Sequence, residues 1–294
     1  MRDEQRWIGI AEVLASGFCF GFLGFFGKRA LASGITPGEF LALRYLLAAL
    51  MMGLIVSVRS RSVTTLYRGA RTSLVCFSLG VLGYAVFSSF YFMALQTISA
   101  SLTVILLYLY PVLVTLGGVV FLREHINRHR LPALPLAFLG MILLVGSDVL
   151  ASAGSVKIGV LFGLLSAFFY SLYILLSAKL LKNTDPWVST FWIQLGAGVA
   201  LFTLHFRSLE RVYEVARLSS WDLVGVSFVC SVLAMSLFLS GLLKIRSWEA
   251  SLLSMSEPIS GVAVGLLLLG EHLEPSQWLG AGLVMVALVF VSRR

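Results

Sequence analysis

Ten runs of about 20 mostly apolar residues follow one another along this 294-residue chain, with short gaps between them. A helix needs about 20 such residues to cross the hydrocarbon core of a bilayer. The runs cover residues 8–30, 38–58, 72–95, 100–122, 131–150, 157–178, 187–206, 222–243, 249–269 and 275–292. They are continuous instead of alternating in polarity, which favours helices over a membrane barrel. The sequence therefore predicts an all-α polytopic membrane protein with ten transmembrane helices.

The composition excludes an ordinary soluble enzyme. Apolar types make up 59% of the chain and charged types 12%, against roughly 25% charged residues in soluble domains. The longest gaps, about 59–71 and 207–220, leave no room for a soluble domain. The three cysteines all lie in apolar runs and are expected to be small buried hydrophobes. The four histidines show no metal-ligand spacing, so we expect no metal and no cofactor.

The distribution of Lys and Arg predicts the orientation. The first apolar run lacks a small-residue cleavage site and is interpreted as an uncleaved helix. With the N-terminus inside, 15 of the 22 Lys and Arg fall in inside segments, six fall outside, and Arg44 lies in a span. Positive charge collects on the cytoplasmic side of membrane proteins. Both termini are therefore expected in the cytoplasm, and the net charge of +8 needs no nucleic-acid partner.

An internal repeat divides the chain into residues 1–150 and 151–294. Sliding the sequence by 147 residues aligns Ala94–Ser147 with Gly241–Arg294 without a gap. The shared positions are Pro111 with Pro258, Gly118 with Gly265, Leu122 with Leu269, Glu124 with Glu271, and His125 with His272. Each half has five spans, and because five is odd the second half enters the membrane from the opposite side. Inverted repeats are typical of secondary transporters, whose substrate sites lie between the halves near the midplane.

Several motifs also carry a family resemblance. The stretch FLALRY at residues 40–45 in the second span, and the Pro…Glu pairs of the fourth and ninth spans, resemble the drug/metabolite transporter superfamily, EamA type. Within that group the chain is similar to the bacterial aromatic amino acid exporters of the YddG kind. The resemblance covers nearly the whole chain. It implies a basket-like ten-helix bundle with a central cavity, and export of amino acids or other metabolites across the bacterial inner membrane.

Two charged residues that lie well inside their spans are singled out as functional candidates. Glu257 is about eight residues into the ninth span, where a carboxylate costs roughly 3 kcal/mol unless it meets water or a partner. It either lines the cavity and binds an ammonium group or a proton, or it pins helices together. Pro258 is expected to kink the helix beside it. Arg44 stays ionised and either attracts a substrate carboxylate or is structural, which is the favoured reading.

Polar and aromatic residues within the spans are the remaining cavity candidates. Tyr84, Ser88 and Tyr91 share one helix face at spacings of four and three. In lipid, a tyrosine hydroxyl away from the interface needs a partner or a wet cavity. The full candidate set is Tyr84, Ser88, Tyr91, Tyr108, Tyr110, Tyr170, Tyr173, Trp192, Gln194, Ser254 and Glu257. The structural or gating candidates are Arg44, Pro111, Pro258, Glu124 and Glu271.

Three functions compete. The first is a secondary transporter that exports amino acids by alternating access, and the second is a transporter of the same fold for a drug, a sugar conjugate or another metabolite. The third, an intramembrane enzyme, is weak. Asp148 is the only Asp near a span interior, His-Glu-x-x-His is absent, and no phosphate-binding loop supports a pump. A five-plus-five bundle encloses its own pathway, so a monomer is sufficient. The sequence leaves proton coupling and facilitated diffusion both open.

Overall fold

The computed structural model describes residues 2–67, 69–98, 100–126, 131–145, 156–268 and 274–292, and in this part every regular element is helical. The helices are α1 (Arg2–Gly21), α2 (Leu23–Ala32), α3 (Pro37–Ser60), α4 (Ala70–Ser78), α5 (Val86–Leu95), α6 (Ala100–Leu107), α7 (Tyr110–Leu122), α8 (Ala133–Val145), α9 (Val156–Leu180), α10 (Pro186–His205), α11 (Leu209–Leu218), α12 (Ser220–Val226), α13 (Ala234–Leu242), α14 (Ser247–Leu253), α15 (Ser256–Leu268) and α16 (Pro275–Ser292). A 3-10 turn covers Val63–Leu66, and π-helical segments cover Leu79–Ala85 and Ser227–Leu233.

These helices build the spans that the apolar runs predict. The first span is α1 with α2, the third is α4 with α5, the fourth is α6 with α7, the eighth is α12 with α13, and the ninth is α14 with α15. Within the described residues, nine spans are long and apolar enough to cross a membrane. The fifth differs, because its described apolar helix covers only Ala133–Leu144 and residues 146–155 lie outside the described part.

The spans pack as two inverted five-helix repeats. The second span packs along the seventh, and the fifth along the tenth. The first span packs on the eighth and ninth, as the sixth packs on the third and fourth. Exchanging the two halves maps the first two contacts onto themselves and maps the contacts of the first span onto those of the sixth. At the crossing of the third and seventh spans, a Cβ on Gly80 would lie 2.1 Å from the carbonyl oxygen of Ile193, so only glycine allows this approach.

Both chain ends lie at one end of the bundle. Arg6 donates hydrogen bonds to the carbonyl oxygens of Val291 and Ser292, at 3.3 and 3.4 Å. We call this the terminal end, and it also holds the close of α7 and the start of α14. The opposite end holds the connection between α2 and α3 and the segment between α10 and α12.

The fourth and ninth spans are broken at matching positions. The fourth span breaks at Tyr108 and Leu109, and the ninth at Ser254 and Met255. A proline shortly after each break lacks a backbone N–H and crowds the preceding turn. The kink predicted beside Pro258 is confirmed as this break. The third and eighth spans carry their π-helical segments 148 residues apart, at 79–85 and 227–233, and the sequence analysis predicts neither segment.

The gap at 207–220 contains a helix of its own, α11, at the opposite end of the bundle. Ser208 caps its N-terminus by accepting a hydrogen bond from the Arg211 N–H. The Arg211 guanidinium donates to both carboxylate oxygens of Glu39, at 2.7 and 3.0 Å, and to Glu214 at 2.8 Å. These hydrogen bonds raise the pKa of Arg211. They fasten α11 to the start of the second span.

Candidate substrate cavity

A cavity of about 460 Å³ lies between the two halves, in the size range of small-molecule sites. The first, second, third, fourth, sixth and ninth spans all contribute to its wall. The wall is mostly aromatic and apolar. Of the residues proposed from the sequence, those on the wall are Arg44, Tyr84, Ser88, Tyr91, Tyr108, Tyr110, Tyr170, Glu257 and Pro258.

The cavity extends from the middle of the bundle to the opposite end. Lys28 and Pro37, at the close of the first span and the start of the second, belong to its wall. Val104 of the fourth span and Val264 of the ninth face it from two further sides. Toward the terminal end it stops at the breaks of the fourth and ninth spans. There the hydroxyls of Tyr110 and Ser254 lie 2.5 Å apart.

Glu257 lines this cavity, and among the residues that the structure describes it is the only acidic one on the wall. Its side chain is half-buried. The Tyr108 hydroxyl is placed to donate a hydrogen bond to it. The Arg44 guanidinium acts on it electrostatically from across the cavity. The break before Pro258 places Glu257 in the first turn of α15, beside the backbone N–H groups that a helix N-terminus leaves free.

Arg44 is anchored to the π-helical segment of the eighth span. Its Nε donates to the Ser231 Oγ at 2.7 Å, and its Nη2 donates to the Cys230 carbonyl oxygen at 3.0 Å. Gln194 donates to the neighbouring Ser231 carbonyl at 2.9 Å. A π-helical turn shifts the backbone hydrogen-bond pattern, and here two side chains bind carbonyl groups within it. Arg44 therefore has a structural role while also forming part of the cavity wall.

Tyrosine rings form one continuous side of the cavity. The ring centroids of Tyr110 and Tyr170 lie 4.6 Å apart, and those of Tyr108 and Tyr110 lie 5.9 Å apart. Tyr84 meets Tyr45 edge to face at 5.4 Å and Tyr170 at 6.5 Å. Edge-to-face packing of this kind is favourable and holds the rings in fixed orientations. The wall thus presents preorganised ring faces and hydroxyls beside a carboxylate.

Four of the proposed cavity residues are placed elsewhere. Tyr173 lies behind the wall and packs against Tyr84 and Tyr170. Trp192 donates its indole N–H to the Leu66 carbonyl at 2.8 Å. Gln194 binds the eighth span as described above. Ser254 lies just beyond the closed end of the cavity, where its hydroxyl is hydrogen-bonded with that of Tyr110.

Of the remaining structural or gating candidates, Glu124 and Pro111 lie within the described residues. Glu124 closes the fourth span and accepts hydrogen bonds from the N–H and the hydroxyl of Ser247, both at 2.9 Å. It thereby caps the start of α14 and joins the fourth span to the ninth at the terminal end. Pro111 is buried beside the break in the fourth span. Glu271 lies outside the described residues.

Further polar pairs close the terminal end. Arg6 of the first span donates to Glu249 of the ninth at 2.8 Å. Lys244, after the eighth span, donates to both carboxylate oxygens of Glu12, at 2.5 and 2.6 Å. Arg246 donates to the His125 carbonyl oxygen. These contacts link the two halves at the end where the cavity is closed.

Sequence reasoning missed part of the wall. Tyr45, Phe40 and Phe87 line the cavity but were absent from the candidates. So were Gly24 and Gly27, where an added Cβ would meet nothing within 4 Å. The available signal was the Phe40–Tyr45 stretch, whose arginine indicates that this helix face meets a polar space. Among the described residues no cluster of His, Cys, Asp or Glu could hold a metal ion.

Comparisons with known proteins agree with this architecture. The profile of the EamA-like transporter family matches residues 7–146 and again 157–293. An uncharacterized transporter of Archaeoglobus fulgidus is 28% identical over 72% of this chain and 76% of its own length. The uncharacterized transporter YxxF of Bacillus subtilis is 24% identical over 99% of this chain and 92% of its own. A chain in a solved crystal structure shares the fold, with a TM-score of 0.79 and 16% identity, over 99% of this chain and 98% of that one.

Proposed function

Because the chain belongs to the EamA-like transporter family, we propose that it is a secondary transporter that exports amino acids, aromatic and other neutral ones. Export would proceed by alternating access through the cavity between the two repeats. The observation that carries the proposal is the pairing of one carboxylate, Glu257, with one guanidinium, Arg44, on a wall of aromatic rings. An amino acid matches this wall with its ammonium group, its carboxylate and an apolar side chain.

Alternating access is supported by the repeat architecture. Two halves of inverted topology can open the same site to either face by exchanging their conformations. The cavity is open toward one end only, and polar contacts between the halves close the other. The breaks in the fourth and ninth spans supply points about which those spans can bend.

We further propose a bacterial inner membrane location, a monomer as the working unit, and both termini in the cytoplasm. The excess of Lys and Arg on the terminal side supports this orientation. With it, the cavity opens away from the cytoplasm, as in an exporter that has just released its substrate. A reporter that is active only in the cytoplasm should be active when fused after residue 294, and activity of a periplasmic reporter there would overturn the orientation.

The experiment for function is radiolabelled uptake into proteoliposomes. Phenylalanine and threonine are compared with a nucleotide sugar and a cationic dye, each with and without a pH gradient. Saturable amino acid flux without a gradient supports facilitated diffusion. Flux that requires the gradient supports proton coupling through Glu257. Absence of amino acid flux in both conditions would contradict the proposal.

A second candidate is export of an amphipathic drug or another small metabolite. It is favoured by the predominance of aromatic and apolar residues on the cavity wall. In the same assay this function predicts flux of the dye or the sugar conjugate and none of the amino acids.

A further inference from the structure

Glu257 differs from its counterpart in the other repeat. The offset of 147 residues that aligns the two prolines places Tyr110 where the second half has Glu257. Both residues line the same cavity, and both lie in the first turn after a break in their span. The repeat fold therefore forms with a tyrosine at this position. A carboxylate at a membrane midplane is costly, so its presence on the cavity side needs a reason other than the fold.

The surroundings of Glu257 match a protonated amine. The Tyr108 hydroxyl is placed to donate to the carboxylate, Tyr110 is close enough to be affected by its charge, and Tyr170 packs on Tyr110 at 4.6 Å. An ammonium group is attracted both to a carboxylate and to the faces of aromatic rings. Away from water these attractions are stronger than in bulk solvent. A substrate amine would therefore be held by charge and by ring faces at the same place.

The two basic residues on the described part of the wall, Arg44 and Lys28, do not occupy the position beside Glu257 where the amine would bind. Arg44 is only 2% exposed, and the eighth span holds two of its nitrogens through Ser231 and Cys230. Lys28 is exposed at the mouth of the cavity. Each could attract the carboxylate of a substrate whose amine is bound at Glu257. The cavity wall thus has positive charge at its mouth and on the second span, and negative charge at Glu257.

We propose that Glu257 selects the substrate class: the cavity accepts solutes that carry a protonated amine and rejects those whose amine is blocked. The inference rests on the proposed function and adds a requirement to it. The carboxylate binds the ammonium group beside the rings of Tyr108 and Tyr110, which line the same cavity. A neutral or acylated nitrogen displaces water from that carboxylate and brings no positive charge in its place, and this loss of solvation disfavours its binding.

The test is competition against radiolabelled phenylalanine in proteoliposomes. The competitors are phenylalanine, phenethylamine, which keeps the amine and lacks the carboxylate, and N-acetylphenylalanine, which keeps the carboxylate and lacks the charged amine. For the unaltered protein we expect phenethylamine to compete at least about tenfold better than N-acetylphenylalanine. In Glu257→Gln this ratio should fall to about one, and in Glu257→Asp it should be kept.

Glu12→Gln is the matched control, since it removes another carboxylate of a span without touching the cavity. It should leave the competition ratio unchanged even where the rate of transport changes. If N-acetylphenylalanine competes as well as phenethylamine in the unaltered protein, the inference is wrong while the proposed function stands. If phenylalanine is not transported at all, the proposed function fails and the inference fails with it. The ratio in the unaltered protein decides the inference even if Glu257→Gln does not fold.

Discussion

The fourth and ninth spans pack together at one end of the bundle and separate at the other. At the terminal end Glu124 accepts two hydrogen bonds from Ser247, and α7 packs against α14. At the opposite end Val104 and Val264, from the same two spans, face the cavity. The repeat relates this pair of spans to itself, so an exactly symmetric molecule would treat both ends alike. Under the proposed alternating access, the difference between the ends is one conformational state, and the same sequence would also form the state in which the two ends are exchanged.

Two of the ion pairs that join the halves differ in how far water reaches them. At the terminal end Glu249 is buried and its partner Arg6 is 21% exposed. At the opposite end Arg29 binds Asp222 while its own side chain is 57% exposed. Exposed pairs contribute little, because water and salt screen them, whereas a pair shielded from water is costly to break. Of these two pairs, Arg6–Glu249 is therefore the costlier to break. The Arg211–Glu39 pair at the opposite end, with side chains 32% and 8% exposed, is shielded to a similar degree.

The largest expected effect is a difference in accessibility between repeat-related positions. Val114 and Gly261 are 147 residues apart; Val114 is fully buried, and Gly261 lines the cavity. Single cysteines at these positions, in a background where the three native cysteines are serine, are treated with a membrane-impermeant thiol reagent. A minor state populated at 0.1–10% predicts labelling about ten- to a thousandfold slower at Val114→Cys.

The cysteine at Gly261 is sterically tolerable. The nearest atom to an added Cβ there is the Gly21 carbonyl oxygen at 3.7 Å, which is ordinary contact. Val114→Cys makes the side chain smaller and is expected to fold. Equal labelling rates at the two positions would show that the difference between the ends does not describe the protein in a membrane.

Much of the fold follows from local sequence signals, and the site follows only in part. Each span needs a long apolar run, and Pro111 and Pro258 break their helices wherever tertiary packing places them. Which face of a helix turns inward depends on its neighbours, so Tyr45 went unnoticed while Tyr173 was expected on the wall. No residue type in the sequence predicts the π-helical segment to which Arg44 donates its hydrogen bonds. The sequence does not predict the difference between the ends, because the repeat pattern is the same in both halves.

A smaller effect is expected from removing one partner of the buried ion pair. Arg6→Gln leaves the Glu249 carboxylate buried with a neutral partner. Because Arg6 is partly exposed, we expect a cost of about 1–2 kcal/mol instead of the 3–5 of a fully buried pair. That corresponds to roughly a tenfold gain in the open terminal end. Faster labelling of Val114→Cys in the Arg6→Gln background is the measurement.

Arg29→Gln is the matched control at the opposite end. It also removes one arginine from the first span, but this arginine is 57% exposed, against 21% for Arg6. Its cost should stay below about 1 kcal/mol, with labelling of Val114→Cys changed by less than about fivefold. If Arg29→Gln accelerated labelling as much as Arg6→Gln, the difference in shielding between the two pairs would not control which end is closed.

The smallest effect is expected from the contact that joins the fourth span directly to the ninth. Glu124→Ala removes the acceptor for the Ser247 N–H at the start of α14, and loss of a helix cap costs about 1 kcal/mol. Labelling of Val114→Cys should rise about fivefold, and Glu124→Gln, which keeps one acceptor oxygen, should raise it less. Gly261→Cys should label at nearly its original rate in both variants, because most molecules would still be open at that end. A slower rate at Gly261 without a faster one at Val114 would mean that Glu124 holds the helix together and does not close the terminal end.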